Sequence, residues 1–230
     1  MKIVMLADLH GNMVATEAME KELDRIQPDD VWFLGDAVGK GPDSDLTCDW
    51  AREHCSHWIA GNWDRVLRQQ PDYNAFFIRQ IGEERLAWLD SLPLEDELEI
   101  SGVRFRLVHG RFLDPMYTSE DPDDKLREGF RFHDGRPEAS GLICADSYAP
   151  FIRPLIGGYA LNTGSVGNNL GIARAHALLL EGEPGPAPLK MTILAVPYDN
   201  HRAAERARLF PDLPRQEAYL KEITAPVFLR

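Results

Sequence analysis

Four short segments of this chain carry side chains that hold metal ions: Asp8-Leu9-His10, Gly35-Asp36, Gly61-Asn62 and His109-Gly110. Carboxylate and amide oxygens together with imidazole nitrogens suit hard and borderline divalent cations. A water bound to such a cation drops in pKa from about 15.7 toward about 7, which supplies a nucleophile at neutral pH. Asp8 and His10, two residues apart in extended chain, are expected to point to the same side. The glycines at 35, 61 and 110 let the backbone approach a bound ion or phosphate closely.

Each segment follows a short, mainly apolar stretch that reads as a strand: Ile3 to Ala7, Val31 to Leu34, His57 to Ala60 and Phe105 to Val108. Such runs read as central strands covered on both faces, and open α/β sheets bind ligands at the edge where successive strands end. Between the first two runs, Asn12 is suited to cap a helix with apolar positions at Ala15, Met19, Leu23 and Ile26, a helix that Gln27-Pro28 ends. Further helices are expected over Ser44 to Glu53 and about Tyr73 to Asp90. The second half changes to short strands at Leu142 to Ala145, Ile152 to Ile156, Tyr159 to Leu161, Ala175 to Leu180 and Met191 to Val196. Each half is expected to contribute one sheet to a single domain over residues 1–230, in which 181–230 supplies a C-terminal strand and helices. Ser119 to Asp124 reads as an exposed loop.

The 230 residues include 37 acidic and 25 basic side chains, a formal net charge of −12. That balance opposes non-specific binding to nucleic acid or to anionic membranes, although bound cations can reverse the field locally. Cys48, Cys55 and Cys144 have no Cys-x-x-Cys spacing, so neither a disulfide framework nor a structural zinc site is indicated. No apolar run approaches the roughly 18 residues of a membrane span. A cytoplasmic setting is expected, and oligomerisation is left open.

The ordered set resembles the calcineurin-like metallophosphoesterase pattern of Asp-x-His, Gly-Asp, Gly-Asn-x-Asp/Glu, His-Gly and Gly-His-x-His. Asn162-Thr163-Gly164-Ser165-Val166-Gly167 is similar to the Asn-Pro-Gly-Ser-Val-Gly stretch of that superfamily's small bacterial phosphodiesterases. The resemblance runs from Met1 to about Leu180 and implies a four-layer α/β/β/α sandwich of two mixed sheets. Two departures stand out. Ala145-Asp146-Ser147-Tyr148 replaces Gly-His-x-His, and Trp63 follows Gly61-Asn62 where the family carries a catalytic histidine.

What the resemblance implies is a phosphoesterase with two divalent ions, drawn from manganese, iron, zinc, nickel and cobalt, with manganese the activating choice. It also implies a small phosphorylated molecule as partner. One ion would take Asp8, His10 and Asp36. The other would take Asp36, Asn62, His109 and, in place of a lost histidine, Asp146. His10, Asn62 and Asp64 are expected to serve the catalytic step, Asp64 by orienting His10 or its loop. Tyr148 suits packing or substrate contact better than ligation. Arg111 is the candidate for the substrate phosphate, because a guanidinium fits phosphate bidentately, and His133 is a lesser one. Trp63 offers an aromatic face to a base or aryl group but only an indole N–H donor. The remaining histidines, His54, His57, His176 and His201, are expected to be structural or at the surface. Two rival readings remain: a degenerate relative that binds a phosphorylated ligand without turnover, and an enzyme with one tight and one weak metal.

Overall fold

A computed structural model of the chain describes residues 1–227. In chain order the elements are β1 (Lys2–Leu6), α1 (Met13–Ile26), β2 (Asp30–Phe33), α2 (Ser44–His54), β3 (His57–Trp58), α3 (Asn62–Val66), α4 (Ala75–Ser91), β4 (Glu95–Ile100), β5 (Val103–Val108), α5 (Asp123–Glu128), β6 (Gly141–Cys144), β7 (Phe151–Leu155), β8 (Gly158–Asn162), β9 (Arg174–Glu181), β10 (Lys190–Pro197), α6 (Asn200–Arg208) and α7 (Gln216–Thr224). The strands form two five-stranded sheets, ordered β10-β9-β1-β2-β3 and β4-β5-β6-β8-β7.

The alternation within β1 shows how the layers form. Ile3 and Met5 point into a core shared with Leu98, Phe105, Leu107 and Leu161 of the second sheet. Val4 and Leu6 point the other way, against Met19 of α1, Phe77 of α4, Ala203 of α6 and Ile223 of α7. The far face of the second sheet is covered by Tyr117, Leu126 of α5 and Phe130. The result is the four-layer α/β/β/α sandwich of two mixed sheets. Helix α1 starts as its sequence requires: the Asn12 side chain accepts a hydrogen bond from the Ala15 N–H at 3.2 Å.

The sheets do not divide between the two halves of the chain as expected. Strand β9 returns from the second half to pair antiparallel with β1, setting Val4 opposite Leu179, and β10 pairs outside it. A central strand must be hydrogen-bonded along both edges, and its second partner here comes from far along the chain. Strand β4 was not anticipated, because Glu95, Asp96, Glu97 and Glu99 mask its alternation, yet Leu98 and Ile100 are buried. Helix α5 also takes Asp123 and Asp124 out of the expected loop, placing both acids in its first turn.

Strands β1, β2 and β3 run parallel, as do β5, β6 and β8. Asp8, Asp36 and Asn62 therefore follow the carboxyl ends of one sheet, and His109 and Asp146 those of the other.

Candidate metal centre

Asp8, His10 and Asp36 are fully buried, and one donor atom from each lies within 4.8 Å of the others. His10 Nε2 is 3.4 Å from Asp8 Oδ1 and 3.6 Å from Asp36 Oδ2. His109 Nε2 is 3.8 Å from Asp8 Oδ1 and 3.4 Å from Asp36 Oδ2. Both rings are held from behind. His10 Nδ1–H donates to the Val38 carbonyl at 3.2 Å, and His109 Nδ1–H to the Leu34 carbonyl at 2.6 Å. In the neutral ring that bond fixes the tautomer whose Nε2 lone pair faces the carboxylates, the arrangement a metal-binding histidine needs.

Both oxygens of Asp8, Asp36 Oδ2, Asn62 Oδ1 and His109 Nε2 are buried without a hydrogen-bond partner. Buried polar atoms are nearly always paired, so five unpaired ligand atoms, four following strands of one sheet and one following a strand of the other, mark a candidate cation site. The electrostatics agree. Burial pushes the Asp8 carboxyl up, against the pull of His10 and His109. Burial also acts on Asp36, but the two rings outweigh it and hold that carboxyl low. His109 is raised well above the usual imidazole range: burial opposes its charge, and Asp36, Asp8 and Asp146 override it.

The backbone here is strained. Asp8, His10, Asp36, Asp146 and Tyr148 all adopt left-handed φ values between 46° and 66°, each costing on the order of 1–3 kcal/mol for a residue with a Cβ. The extended Asp8–His10 geometry expected from spacing is therefore not what aligns the two side chains. Backbone ties hold the turns instead: Asp8 N–H to Gly35 O, His10 N–H to Asp36 O and Gly167 N–H to Asp8 O. Ser165 Oγ also donates to Asp8 O at 3.0 Å, so the Asn162–Gly167 stretch acts as a scaffold. Gly61 makes room for the Asp36 carboxylate and not for an ion or phosphate directly, since a Cβ there would lie 2.1 Å from Asp36 Oδ1.

Asp64 faces this backbone and not His10. Its Oδ2 accepts the N–H groups of Asp36 and Gly61, both at 2.8 Å, and its Oδ1 accepts that of Ala37 at 3.0 Å. Burial and the charge of Asp36 push its pKa to about 6 despite those bonds. Asp64→Ala would leave three buried donors unpaired. At about 1–3 kcal/mol each, thermal unfolding is expected to fall by roughly 10 °C or more. A melting temperature within about 2 °C of wild type would show that the loop holds itself.

Other candidates lie around a cleft of about 250 Å³ lined by Lys40, Asn62, Trp63, Tyr73, Arg111 and Tyr148, among others. The Trp63 indole meets His10 edge-on, with centroids 5.9 Å apart, and its backbone N–H donates to Asp36 Oδ1 at 2.7 Å. Tyr148 OH is 2.9 Å from His10 Nε2. Asp146 and Arg111 form a paired unit: Arg111 Nε lies 2.8 Å from both carboxylate oxygens, and Nη2 lies 2.5 Å from Oδ1. His133 stands apart from the cleft lining, with Nε2 2.7 Å from Asp114 Oδ1. His54 stacks on Trp50, His57 stacks on Trp32, His176 is buried against Asn169, and His201 is exposed.

Sequence reasoning missed Lys40. It lies over the Tyr148 ring at 4.8 Å and donates to Glu222 of α7 at 2.7 Å. Burial depresses its pKa, and Glu222 opposes that shift. A lysine set between Gly39 and Gly41, just beyond Asp36, was the available signal.

A family model for calcineurin-like phosphoesterases matches residues 1–152. The chain belongs to that family. Calcineurin-like phosphoesterases normally use divalent metals, and the Asp8, His10 and Asp36 cluster is the candidate site here. The uncharacterized protein MJ0912 of Methanocaldococcus jannaschii is 25% identical over 230 residues, 89% of this chain and 90% of its own length. A metallophosphoesterase from Sphaerobacter thermophilus superimposes with a TM-score of 0.77 at 22% identity, covering 99% of this chain and 100% of its own. The hypothetical protein PH1004 from Pyrococcus horikoshii gives 0.81 at 17% identity, with 99% of each chain covered. These two likenesses show that both structures share the fold of nearly the whole chain, β9, β10, α6 and α7 included. Among the described residues, no helix is long and apolar enough to cross a membrane.

Proposed function

We propose that the protein is a metal-dependent hydrolase of a small phosphodiester, or of a phosphomonoester with a good leaving group, using two divalent ions with manganese as the activating metal. The observation that carries this reading is the set of buried, unpartnered donors on Asp8, Asp36, Asn62 and His109. Asp8, His10 and Asp36 would hold one ion, and Asp36, Asn62 and His109 the other. When bound, such ions polarise phosphoryl oxygens and bring the pKa of a water near neutrality.

The chain's own groups do the rest. The carbonyls of Leu34 and Val38 keep His109 and His10 in their binding orientation. Asp64 and the Trp63 N–H hold the Asp36 loop and carboxylate. Arg111 and Lys40 line the cleft, and the exposed side of the Arg111 guanidinium, paired on its other side with Asp146, offers N–H donors suited to an anionic ester. Trp63 adds an aromatic wall suited to a base or aryl group.

The test is hydrolysis of p-nitrophenyl phosphate and bis(p-nitrophenyl) phosphate by EDTA-stripped protein with manganese restored. Manganese-dependent turnover of the diester is expected. A second reading, phosphate binding without turnover, is favoured by the commitment of Asp146 to Arg111 where the family has histidines. It predicts saturable inorganic phosphate binding with no hydrolysis of either ester.

A further inference from the structure

Asp146 sits at the end of β6, fully buried, in a left-handed conformation with φ 66°. Its carboxylate is enclosed by one neighbour. Oδ2 accepts the Arg111 backbone N–H at 3.0 Å and Nε at 2.8 Å, while Oδ1 accepts Nε at 2.8 Å and Nη2 at 2.5 Å. Gly110 makes the fit possible, because a Cβ there would lie 2.9 Å from Asp146 Cβ and 3.0 Å from Oδ2. A carboxylate with both oxygens on a guanidinium must break that pair before it can ligate a cation, and the incoming ion would meet the charge of Arg111. Arg111 has the opposite exposure. Its side chain keeps 39% of its surface and lines the cleft beside Asn62, Trp63 and Tyr148. Nε and Nη2 are committed to Asp146, whereas Nη1 makes no hydrogen bond among the described residues.

We propose that Asp146 works through Arg111 and not on a metal ion: it fixes the guanidinium at the mouth of the metal site, where Nη1 binds a non-bridging oxygen of the substrate's phosphate. The inference rests on the phosphoesterase reading and assigns separate roles to two residues in it. Arg111 is the phosphate-binding residue, and Asp146 is its positioning residue. A guanidinium held in this way recognises a planar or tetrahedral oxyanion with little further loss of side-chain freedom. A planar, delocalised guanidinium is thus the partner of Asp146, in the segment where the family's Gly-His-x-His motif would stand.

The experiment measures manganese stoichiometry, the Kd of inorganic phosphate on the manganese-loaded protein, and kcat and KM for bis(p-nitrophenyl) phosphate. The variants are Asp146→Asn, Asp146→Glu, Arg111→Met and the Asp146→Asn/Arg111→Met pair. In Asp146→Asn, manganese per chain is expected to stay at the wild-type value. The phosphate Kd and the KM should rise about tenfold, with kcat much less affected, as for loss of a charge-assisted contact. Arg111→Met should do the same. The double variant should be no worse than Arg111→Met alone, because residues acting as one unit are not additive. Asp146→Glu should recover part of the phosphate affinity. Loss of a manganese ion in Asp146→Asn would overturn the proposal and make Asp146 a ligand. Additive effects in the double variant would also overturn it. If Asp146→Asn does not fold, Arg111→Met decides alone, since unchanged phosphate affinity there refutes the assignment. Wild-type protein that binds manganese but neither phosphate nor ester would remove the phosphoesterase reading and the proposal with it.

Discussion

Asp36→Asn is expected to abolish the response of the protein to manganese. The wild-type melting temperature should rise by about 5–10 °C at a manganese concentration 100 times Kd, because binding there adds about 2.7 kcal/mol. The Asp36→Asn rise should be close to zero. Asp36 is the shared carboxylate of the proposed pair of ions, so its loss weakens both positions. Lewis-acid stabilisation is worth several kcal/mol, and hydrolysis of bis(p-nitrophenyl) phosphate should therefore fall by about 10³-fold or more. The asparagine keeps an oxygen for the Trp63 N–H that Asp36 Oδ1 now accepts, and it relieves repulsion from Asp8. It also gives up the pull of His10 and His109 that holds this carboxyl low, so the manganese-induced rise is read against each protein's own EDTA-treated melting temperature. A variant that keeps the manganese-induced rise would place the metal elsewhere.

The second large effect concerns Trp63, which stands 5.9 Å from the His10 ring and lines the cleft. An indole cannot deliver a proton to a leaving oxygen. Wild-type rates should therefore fall steeply as leaving-group pKa rises along a series of aryl and alkyl phosphodiesters. General acid catalysis is worth about 10²–10⁴-fold. Trp63→His is expected to recover much of that factor for alkyl esters while changing nitrophenyl esters little. Parallel plots for the two proteins, with chemistry rate-limiting, would show that another donor serves the leaving oxygen. Lys40, which borders the same cleft, would then be the residue to replace.

The ligand-bearing part of the fold was legible because strand ends announce themselves. The apolar run that stops at Asp8, the one that ends just before Gly35-Asp36 and the mainly apolar segment before His109 identify the strands whose ends carry these side chains. The Asn12 cap and the Ala15, Met19 and Leu23 stripe showed α1 for the same local reason. What sequence could not show was non-local. The place of β9 beside β1 is decided by which apolar strand fills an open edge, and nothing near residue 179 names Val4 as its partner. Strand β4 hid because its acidic positions pair with arginines of the next strand, as Glu95 does with Arg106 at 2.7 Å and Glu97 with Arg104 at 2.9 Å. At the site, residue types pointed to Asp146 as a metal-binding carboxylate and Arg111 as a phosphate-binding cation, one at a time. Only the three-dimensional structure shows that they meet, since they lie 35 residues apart, in the turns that follow β5 and β6. Asp64 likewise shows its role only when its three backbone N–H partners are seen.

The buried side chains of Asp8, His10, Asp36, Asn62 and His109 are proposed to form a divalent-metal centre that hydrolyses phosphate esters. Its most direct test is the initial rate of bis(p-nitrophenyl) phosphate hydrolysis by EDTA-stripped protein, titrated with manganese in equivalents per chain. The account predicts no rate at zero manganese, a rise as the sites fill, and a plateau at two equivalents. A rate that stays at the background level through saturating manganese, in protein that demonstrably binds the metal, would contradict it.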